Sequence, residues 1–275
     1  MRIAVTGRYL ATLQRQHLRD GMPQVAAFAF DHVGQSITLW GRYERDELDL
    51  LMQAVAPHLA AGGVCLDVGA NIGNHAVFFA DHFAEVLAFE PNPRTFALLQ
   101  FNAGLRSNIR CFNVGLSDVD ERASLSVPAD NIGMATLHGS AGSGGLRVDC
   151  ELRRLDGLLG LEALAQCRVS MVKIDVEGHE PEVLRGAHEL LARDRPVVVF
   201  EQTAAEINGG SSIAIELLRS AGYQHFWTIE HLPASRSRWL NLARRVVFGE
   251  RLRVVECERF EKRFHSMIVA LPTAA

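Results

Sequence analysis

The segment VCLDVGANIGN, residues 64–74, carries the clearest structural signal in the chain. Val64–Val68 predicts a short apolar strand, and the residues from Asn74 to about Phe83 predict a helix. Gly69 and Gly73, which lie between them, allow a tight turn and a close approach of the backbone to a ligand. In a doubly wound sheet, such a turn lies at the carboxyl end of a strand, where ligands bind. The segment therefore predicts a strand–helix unit together with a candidate ligand site.

On the carboxyl-terminal side of this segment, strands and helices alternate. Four more strands are predicted at Val86–Glu90, Ile109–Asn113, Val169–Asp175 and Pro196–Glu201, and helices at Pro93–Leu105 and Pro181–Leu191. This alternation predicts an α/β, Rossmann-like fold, with a doubly wound and mostly parallel sheet. Short β-like runs at residues 123–127 and 146–152 interrupt it, on either side of a predicted Gly/Ser-rich loop at residues 139–145.

The amino-terminal side gives a different pattern. Gln24–Phe30 and Ser36–Trp40 are β-rich runs around Asp31–Gly34, which predicts a hairpin. Residues 44–61 then show helical periodicity that ends at Gly62-Gly63. We therefore expect an N-terminal extension of a β-hairpin plus a helix over residues 1–62. A second domain is expected over residues 63–275, with an Arg-rich insertion at about residues 230–263.

Composition limits the classes of function. The chain has 275 residues, a net charge of −4 and only two lysines among its 28 basic residues. No overall basic field exists to bind nucleic acid, so no nucleic-acid partner is expected.

The five cysteines include no C-x-x-C pair, and the N-terminus lacks the apolar core of a signal peptide. No apolar run approaches the ~20 residues of a membrane helix, so a cytoplasmic protein without a membrane span is expected. A homo-oligomer is left open.

The turn after the first strand has the pattern D-x-G-x-N-x-G, whereas a dinucleotide site has G-x-G-x-x-G. Asp67 would repel a pyrophosphate but suits a cationic ligand. Glu90, seventeen residues after Gly73, ends the next strand, where its carboxylate can accept both hydroxyls of a ribose. A cationic ligand that bears a ribose describes S-adenosylmethionine. A dinucleotide site and a purely structural glycine turn remain as alternatives at this point.

Four motifs in this order make the chain resemble the FkbM-type, S-adenosylmethionine-dependent methyltransferases. They are Tyr43-Glu44, LDVGANIG at residues 66–73, AFEPNP at 88–93 and VKIDVEGHE at 172–180. Weaker support comes from residues 113–118 and 199–201. The resemblance covers about residues 41–202 and leaves both ends of the chain uncovered.

The resemblance implies a class I methyltransferase with a seven-stranded sheet and with S-adenosylmethionine as cofactor. Glu90 would hold the ribose with help from Asn92, and the backbone at Gly115-Leu116 would meet the adenine. Glu44 would approach the methionine amino group, although an acid at the start of a helix is also favoured by the helix dipole alone. The implied cofactor-binding residues are Glu44, Asp67, Gly69, Ala70, Asn71, Gly73, Glu90, Asn92, Gly115, Leu116 and Asp175.

The candidate catalytic residues Asp175, Glu177 and His179 follow the strand at residues 169–175. Transfer of a methyl group to an alcohol needs a group that takes the hydroxyl proton. His179 has a useful ordinary pKa, and Asp175 could orient it or act as the base itself. Two alternatives remain: an acid here could simply cap the next helix, or Asp175, Glu177 and Glu201 could bind a divalent metal. Lys173 would place its stem on the sheet and pair with a neighbouring acid.

The acceptor is the least defined part. The resemblance implies O-methylation of a hydroxyl on a sugar, glycan or secondary metabolite. N-methylation of a small molecule and a non-catalytic nucleoside-binding module are the alternatives, while Asp67 and Asn71 disfavour a dehydrogenase. Candidate acceptor walls are residues 131–136, the N-terminal hairpin and the Arg-rich segment 230–263. The last could contact an anionic acceptor, form a solvated face, or meet a membrane surface or a partner subunit.

Overall fold

The computed structural model describes residues 2–29, 31–128, 135–137, 145–160, 164–165, 167–232 and 251–273. The helices are α1 (Arg2–Arg19), α2 (His32–Trp40), α3 (Arg45–Val55), α4 (Asn74–Phe79), α5 (Pro93–Ala103), α6 (Glu180–Gly186), α7 (His188–Asp194) and α8 (Ile213–Ser220). The strands are β1 (Val64–Val68), β2 (Glu85–Phe89), β3 (Ile109–Phe112), β4 (Gly115–Ser117), β5 (Glu121–Val127), β6 (Leu146–Arg154), β7 (Val169–Ile174), β8 (Val197–Gln202), β9 (Tyr223–His231), β10 (Leu252–Glu256) and β11 (His265–Pro272).

Within the described residues, eight strands form the main sheet in the order β10-β9-β11-β8-β7-β1-β2-β3. The pairs from β8 through β7, β1 and β2 to β3 are parallel, and β11, β9 and β10 continue the sheet in antiparallel pairs. Strand β1 therefore lies in the parallel part, with β7 on one side and β2 on the other. The carboxyl ends of the parallel strands meet at one edge, which confirms the predicted α/β architecture.

Both faces of the sheet are covered, because successive residues of a strand point to opposite faces. On β1, Val64, Leu66 and Val68 belong to one apolar cluster, and Cys65 belongs to the other. Every residue of β1 and β7 is buried. Such near-continuous burial is typical of parallel strands with helices on both faces.

A smaller sheet in the order β4-β6-β5 lies beside the main sheet. Strands β5 and β6 are antiparallel over seven residue pairs, whereas β4 pairs with β6 in parallel. These strands contain the two β-like runs that interrupt the alternation in the sequence. Most of the Gly/Ser-rich segment at 139–145 and residues 131–134 lie outside the described residues.

The predicted N-terminal hairpin is wrong. The described residues of the first run, 24–29, form no strand, and the second run lies in helix α2. Asp31 caps this helix, because its Oδ1 accepts a hydrogen bond from the Val33 N–H at 2.6 Å. Gly41 ends it in the left-handed conformation, with its N–H bonded to Ile37 O at 2.8 Å. Together the two caps override the β propensity of the residues between them.

The main sheet also has eight strands among the described residues instead of the expected seven. Strand β10 lies inside the segment interpreted as an Arg-rich insertion, and it pairs with β9 from Leu252↔His231 to Glu256↔Trp227. Residues 233–250, with Arg236, Arg238, Arg244 and Arg245, lie outside the described residues. The division of the chain at residues 62 and 63 stays a prediction.

Candidate active site

A cavity of about 430 Å³ opens at the carboxyl ends of the parallel strands. Its walls come from the ends of β1, β2, β7 and β8, from β4 and its sheet, and from the N-terminal region. One side is largely apolar and includes Phe89, Pro91, Leu116 and Leu152. The walls also include four carboxylates, which are Glu90, Asp175, Glu177 and Glu201. The cavity therefore combines an apolar surface with a high density of acidic groups.

The glycine-rich turn at residues 69–73 enters this cavity directly after β1. Gly69 has a φ of 75°, and a Cβ there would lie 1.8 Å from Asp175 O, so only glycine fits against the end of β7. Asn71 also has a positive φ, of 51°, and it lines the cavity. Its Oδ1 is buried and has no hydrogen-bond partner among the described residues. An unpartnered buried oxygen at a cavity wall indicates a place for a ligand donor.

Glu90 is buried just after β2, and its two oxygens bind neighbouring backbone groups. Oε2 accepts from the Asn71 N–H at 3.0 Å, and Oε1 accepts from the Asn92 N–H at 2.8 Å. Burial raises the pKa of Glu90 to about 7, against the lowering effect of these two hydrogen bonds. Each carboxylate oxygen keeps a further lone pair that can accept another hydrogen bond. The geometry thus links the carboxylate firmly to the glycine-rich turn.

Lys173 lies in the parallel strand pair beneath the cavity and contacts three acceptors. Its Nζ lies 3.3 Å from Asp67 Oδ1, 3.3 Å from Asp175 Oδ2 and 3.2 Å from Gly69 O. Asp67 is its cross-strand neighbour in the β1–β7 pair, and Asp175 lies two positions further along the chain. Burial acts to lower the pKa of Lys173, but the charges of Asp67 and Asp175 outweigh it and raise the pKa. The ammonium therefore holds the turn and the end of β7 together.

Glu177 and Glu201 lie on the side of the cavity formed by β7 and β8. Burial and the charge of Asp175 raise the pKa of Glu177 to about 7. The same two causes raise the pKa of Glu201 to about 9. In the described part of the chain, no three His, Cys, Asp or Glu side chains are grouped so that they could hold a metal ion. The geometry therefore gives no support to the alternative of a metal held by Asp175, Glu177 and Glu201.

His179 lies at the cavity just before α6 and is 6 % exposed. Its Nε2 lies 2.9 Å from Ser117 Oγ in β4, and its Nδ1 lies 3.5 Å from Glu182 Oε2. Because both ring nitrogens have protein neighbours, the ring has a defined orientation. It links the start of α6 to the smaller sheet.

The cavity brings together more than half of the residues predicted to form the site. Its lining includes Gly69, Asn71, Glu90, Gly115, Leu116, Asp175, Glu177 and His179. Five others are not in its lining: Glu44, Asp67, Ala70, Gly73 and Asn92. Asp67 is fully buried beneath the cavity, and Asn92 caps α5 by accepting from the Arg94 N–H at 3.1 Å. Glu44 lies in a small neighbouring crevice, where its Oε2 is 3.2 Å from His75 Nε2.

Several residues that line the cavity were not among the predicted catalytic and cofactor-binding residues. His32, Val33 and Tyr43 come from the N-terminal region, and Thr203 and Phe264 come from the carboxyl-terminal half. Tyr43 belongs to the Tyr43-Glu44 motif that carries the family resemblance, and this membership is a signal that could have assigned it to the site. His32 was covered only by the expectation that the N-terminal hairpin forms a candidate acceptor wall, which singled out no individual residue.

The sheet places acidic residues and a glycine-rich turn at the carboxyl ends of its parallel strands. Together with the following family match, this arrangement defines the chain as a Rossmann-like methyltransferase. The model of the methyltransferase FkbM domain matches residues 67–244, which is well over half of the chain. The chain therefore belongs to the FkbM methyltransferase domain family.

Curated relatives include two methyltransferases whose names state what they methylate. The hexuronic acid methyltransferase AglP of Haloferax volcanii is 30% identical over 182 residues, which cover 64% of this chain and 72% of AglP. The 2-O-methyltransferase NoeI of Sinorhizobium fredii is 30% identical over 151 residues, 48% of this chain and 60% of NoeI. The AMB antimetabolite synthetase AmbE of Pseudomonas aeruginosa is 29% identical over 238 residues, or 70% of this chain. The match spans only 10% of the length of AmbE.

Among solved structures, the FkbM methyltransferase of Methylobacillus flagellatus KT matches with a TM-score of 0.45 and 15% identity. The match covers 97% of this chain and 60% of that one. In the described part of the present chain, none of the helices combines the length and the apolarity that a membrane crossing requires.

Proposed function

We propose that this protein is an S-adenosylmethionine-dependent O-methyltransferase that acts on a hydroxyl of a sugar, glycan or secondary metabolite. The observation that carries the proposal is the arrangement of carboxylates around one cavity. Glu90 lies beside its apolar wall, whereas Glu177 and Glu201 lie at the ends of β7 and β8. The side with Glu90 and the apolar wall can therefore hold a nucleoside. The side with Glu177 and Glu201 can take part in proton transfer.

The residues on the nucleoside side fit the cofactor. Glu90 is anchored by two backbone N–H groups and can accept hydrogen bonds from ribose hydroxyls. Pro91, Leu116 and Leu152 offer an apolar surface to a purine ring. The unpartnered Asn71 Oδ1 suits a donor such as an ammonium or a hydroxyl. When bound, S-adenosylmethionine supplies a methyl group on a positively charged sulfur, which the acidic walls favour.

On the acceptor side we assign the general base to Glu177. Its raised pKa of about 7 lies near neutral pH, which is the best compromise between being ionised and binding a proton strongly. Asp175, which contacts Lys173 at 3.3 Å, supplies a fixed negative charge next to it. His179, bonded to Ser117, is the second candidate and would act either on the acceptor proton or by fixing the turn that carries Glu177.

The names of the relatives support the class of acceptor. AglP is described as a hexuronic acid methyltransferase and NoeI as a 2-O-methyltransferase. The first name supports a sugar as the acceptor, and the second supports oxygen as the methylated atom.

Calorimetry tests the cofactor assignment. We expect heat of binding with S-adenosylmethionine or S-adenosylhomocysteine and none with NAD. A chain that binds NAD and not the adenosyl compounds contradicts the proposal. Incubation with methyl-labelled cofactor and a panel of sugars and glycosides then identifies the acceptor.

Two variants separate the roles at the end of β7. Glu177→Gln should lower kcat strongly and leave the affinity for S-adenosylhomocysteine nearly unchanged, because it removes the base but not the cofactor contacts. His179→Ala should lower kcat with a smaller effect if it only positions the turn. Full activity of both variants would favour transfer to a neutral amine, which needs no base. A rate that EDTA abolishes would instead restore the metal alternative.

A further inference from the structure

Residues 22–29 and 31–44, here called the N-terminal wall, are held to the glycine-rich turn by side-chain amides. Asn102 in α5 is fully buried and uses all of its amide groups for this purpose. Its Oδ1 accepts from the Ala26 N–H at 2.8 Å, and its Nδ2 donates to Ala26 O at 2.9 Å. The same Nδ2 donates to Ile72 O at 2.7 Å, within the turn itself. One side chain thus joins the wall to the turn.

Asn74 makes a second connection of the same kind. Its Oδ1 accepts from the Tyr43 N–H at 3.1 Å, and its Nδ2 donates to Tyr43 O at 3.1 Å. Asn74 is the first residue of α4 and directly follows Gly73. The wall is therefore fixed on both sides of helix α2, at Ala26 and at Tyr43. In each case an asparagine amide pairs with the backbone as a neighbouring strand would.

The wall reaches the cavity with two ring side chains, His32 and Tyr43. Their ring centroids are 5.7 Å apart in an edge-on contact, and Tyr43 stacks on His75 at 6.1 Å. The next residue, Glu44, lines one small crevice with Asp175 and Glu201. This part of the wall therefore lies at the ends of β7 and β8. In the order of the sheet, those strands lie on the other side of β1 from β2, which Glu90 follows.

We propose that the N-terminal wall forms the acceptor-facing side of the active site. His32 and Tyr43 are its specificity-determining residues, and Asn74 and Asn102 are positioning residues that tie it to the cofactor turn. The assignment of the two ring residues rests on the methyl transfer proposed above, whereas the positioning role rests on the hydrogen bonds alone.

Hydrogen exchange of the ligand-free protein tests the positioning role. Asn102→Leu leaves the Ala26 and Ile72 backbone groups without their partners, so exchange at residues 22–29 and 69–74 should accelerate by about tenfold or more. Asn108→Leu is the matched control, because Asn108 Nδ2 binds Ala80 O and Phe83 O instead of the wall. Equal exchange patterns in the two variants would overturn the positioning role. If Asn102→Leu does not fold, Asn74→Leu gives the same test at residues 41–44.

Titration with S-adenosylhomocysteine tests the acceptor-facing role. His32→Ala and Tyr43→Phe should each keep the affinity within about twofold of the original protein. A loss of about tenfold or more in either variant would make the wall a cofactor surface and overturn that assignment. An original protein that does not bind S-adenosylhomocysteine would contradict the proposed function, and the exchange experiment would still decide the positioning role.

Discussion

The ends of the parallel strands and the N-terminal wall both supply residues to the cavity, but different forces hold them there. Glu90 and Asp175 follow β2 and β7 directly, so the pairing of buried strands fixes their places. His32 and Tyr43 belong to a segment whose described residues form no strand, and two asparagine amides attach it. Strand ends are positioned by many repeated interactions, whereas the wall depends on a few individual ones. The wall should therefore be easier to detach without unfolding the protein.

The strongest test removes the central charge of the strand ends. Lys173→Met leaves the buried Asp67 and the partly exposed Asp175 without their cation, so the free energy of unfolding should fall by about 3 kcal/mol. Denaturant unfolding measures this loss. Lys262→Met is the matched control, because Lys262 is exposed and should change stability by less than about 0.5 kcal/mol. A small effect of Lys173→Met would remove the distinction between the two regions.

The second test measures ligand binding at the strand ends. Glu90→Ala should weaken binding of S-adenosylhomocysteine by about 100-fold, because the proposed contacts with the ribose hydroxyls are charge-assisted. Calorimetry gives the dissociation constant. Glu85→Ala removes a carboxylate at the start of the same strand, where it pairs with Arg110 away from the cavity. Similar losses in both variants would show that the effect comes from the strand and not from the site.

The third test uses pH. Glu201 has a pKa raised from 4.5 to about 9, so the folded protein keeps a proton that the unfolded chain releases at lower pH. The stability that this group contributes therefore falls as pH rises between these two values. Glu201→Gln should flatten the fall in the free energy of unfolding from pH 5 to pH 9. Glu121→Gln, at the exposed start of β5, should leave the pH profile as it is. An unchanged profile in Glu201→Gln would contradict the raised pKa.

The smallest effect is expected at the wall. Asp31→Ala removes the cap of α2 and should lower the free energy of unfolding by about 1 kcal/mol. Ser212→Ala removes the cap of α8, where Ser212 Oγ accepts from the Ile215 N–H at 3.3 Å. The two variants should lose similar stability, but only Asp31→Ala should accelerate hydrogen exchange in residues 22–44. If neither variant accelerates it, the wall is as firmly held as the strand ends.

The same contrast explains what the sequence could predict. Val64–Val68 was predicted with its observed bounds, because a continuous apolar run beside glycines is a strong local signal. The ends of the parallel strands then placed Glu90, Asp175, Glu177 and His179 around one cavity without further information. Their grouping follows from topology, since the carboxyl ends of neighbouring parallel strands share an edge.

The structure of the wall could not be predicted in this way, although its segment, as a hairpin, was among the candidate acceptor walls. Its β-rich composition favoured a hairpin, and only the Asp31 and Gly41 caps show why the segment after Asp31 forms a helix. The contacts of Asn102 with Ala26 span 76 positions in the chain, so no local pattern indicates them. Asp67, a motif residue expected at the ligand, also shows a contact that no local pattern indicates, because its Oδ1 lies 3.3 Å from Lys173 Nζ beneath the cavity.

The burial of Lys173 also has a practical consequence for chemical labelling. The chain has two lysines, and the Lys173 ammonium is enclosed by three acceptors. Lys262 is exposed, so amine-reactive reagents have one accessible lysine besides the terminal amine. A dye or a surface tether attached at Lys262 would give a nearly homogeneous conjugate of the folded protein. Acylation of Lys173 would then report directly on unfolding.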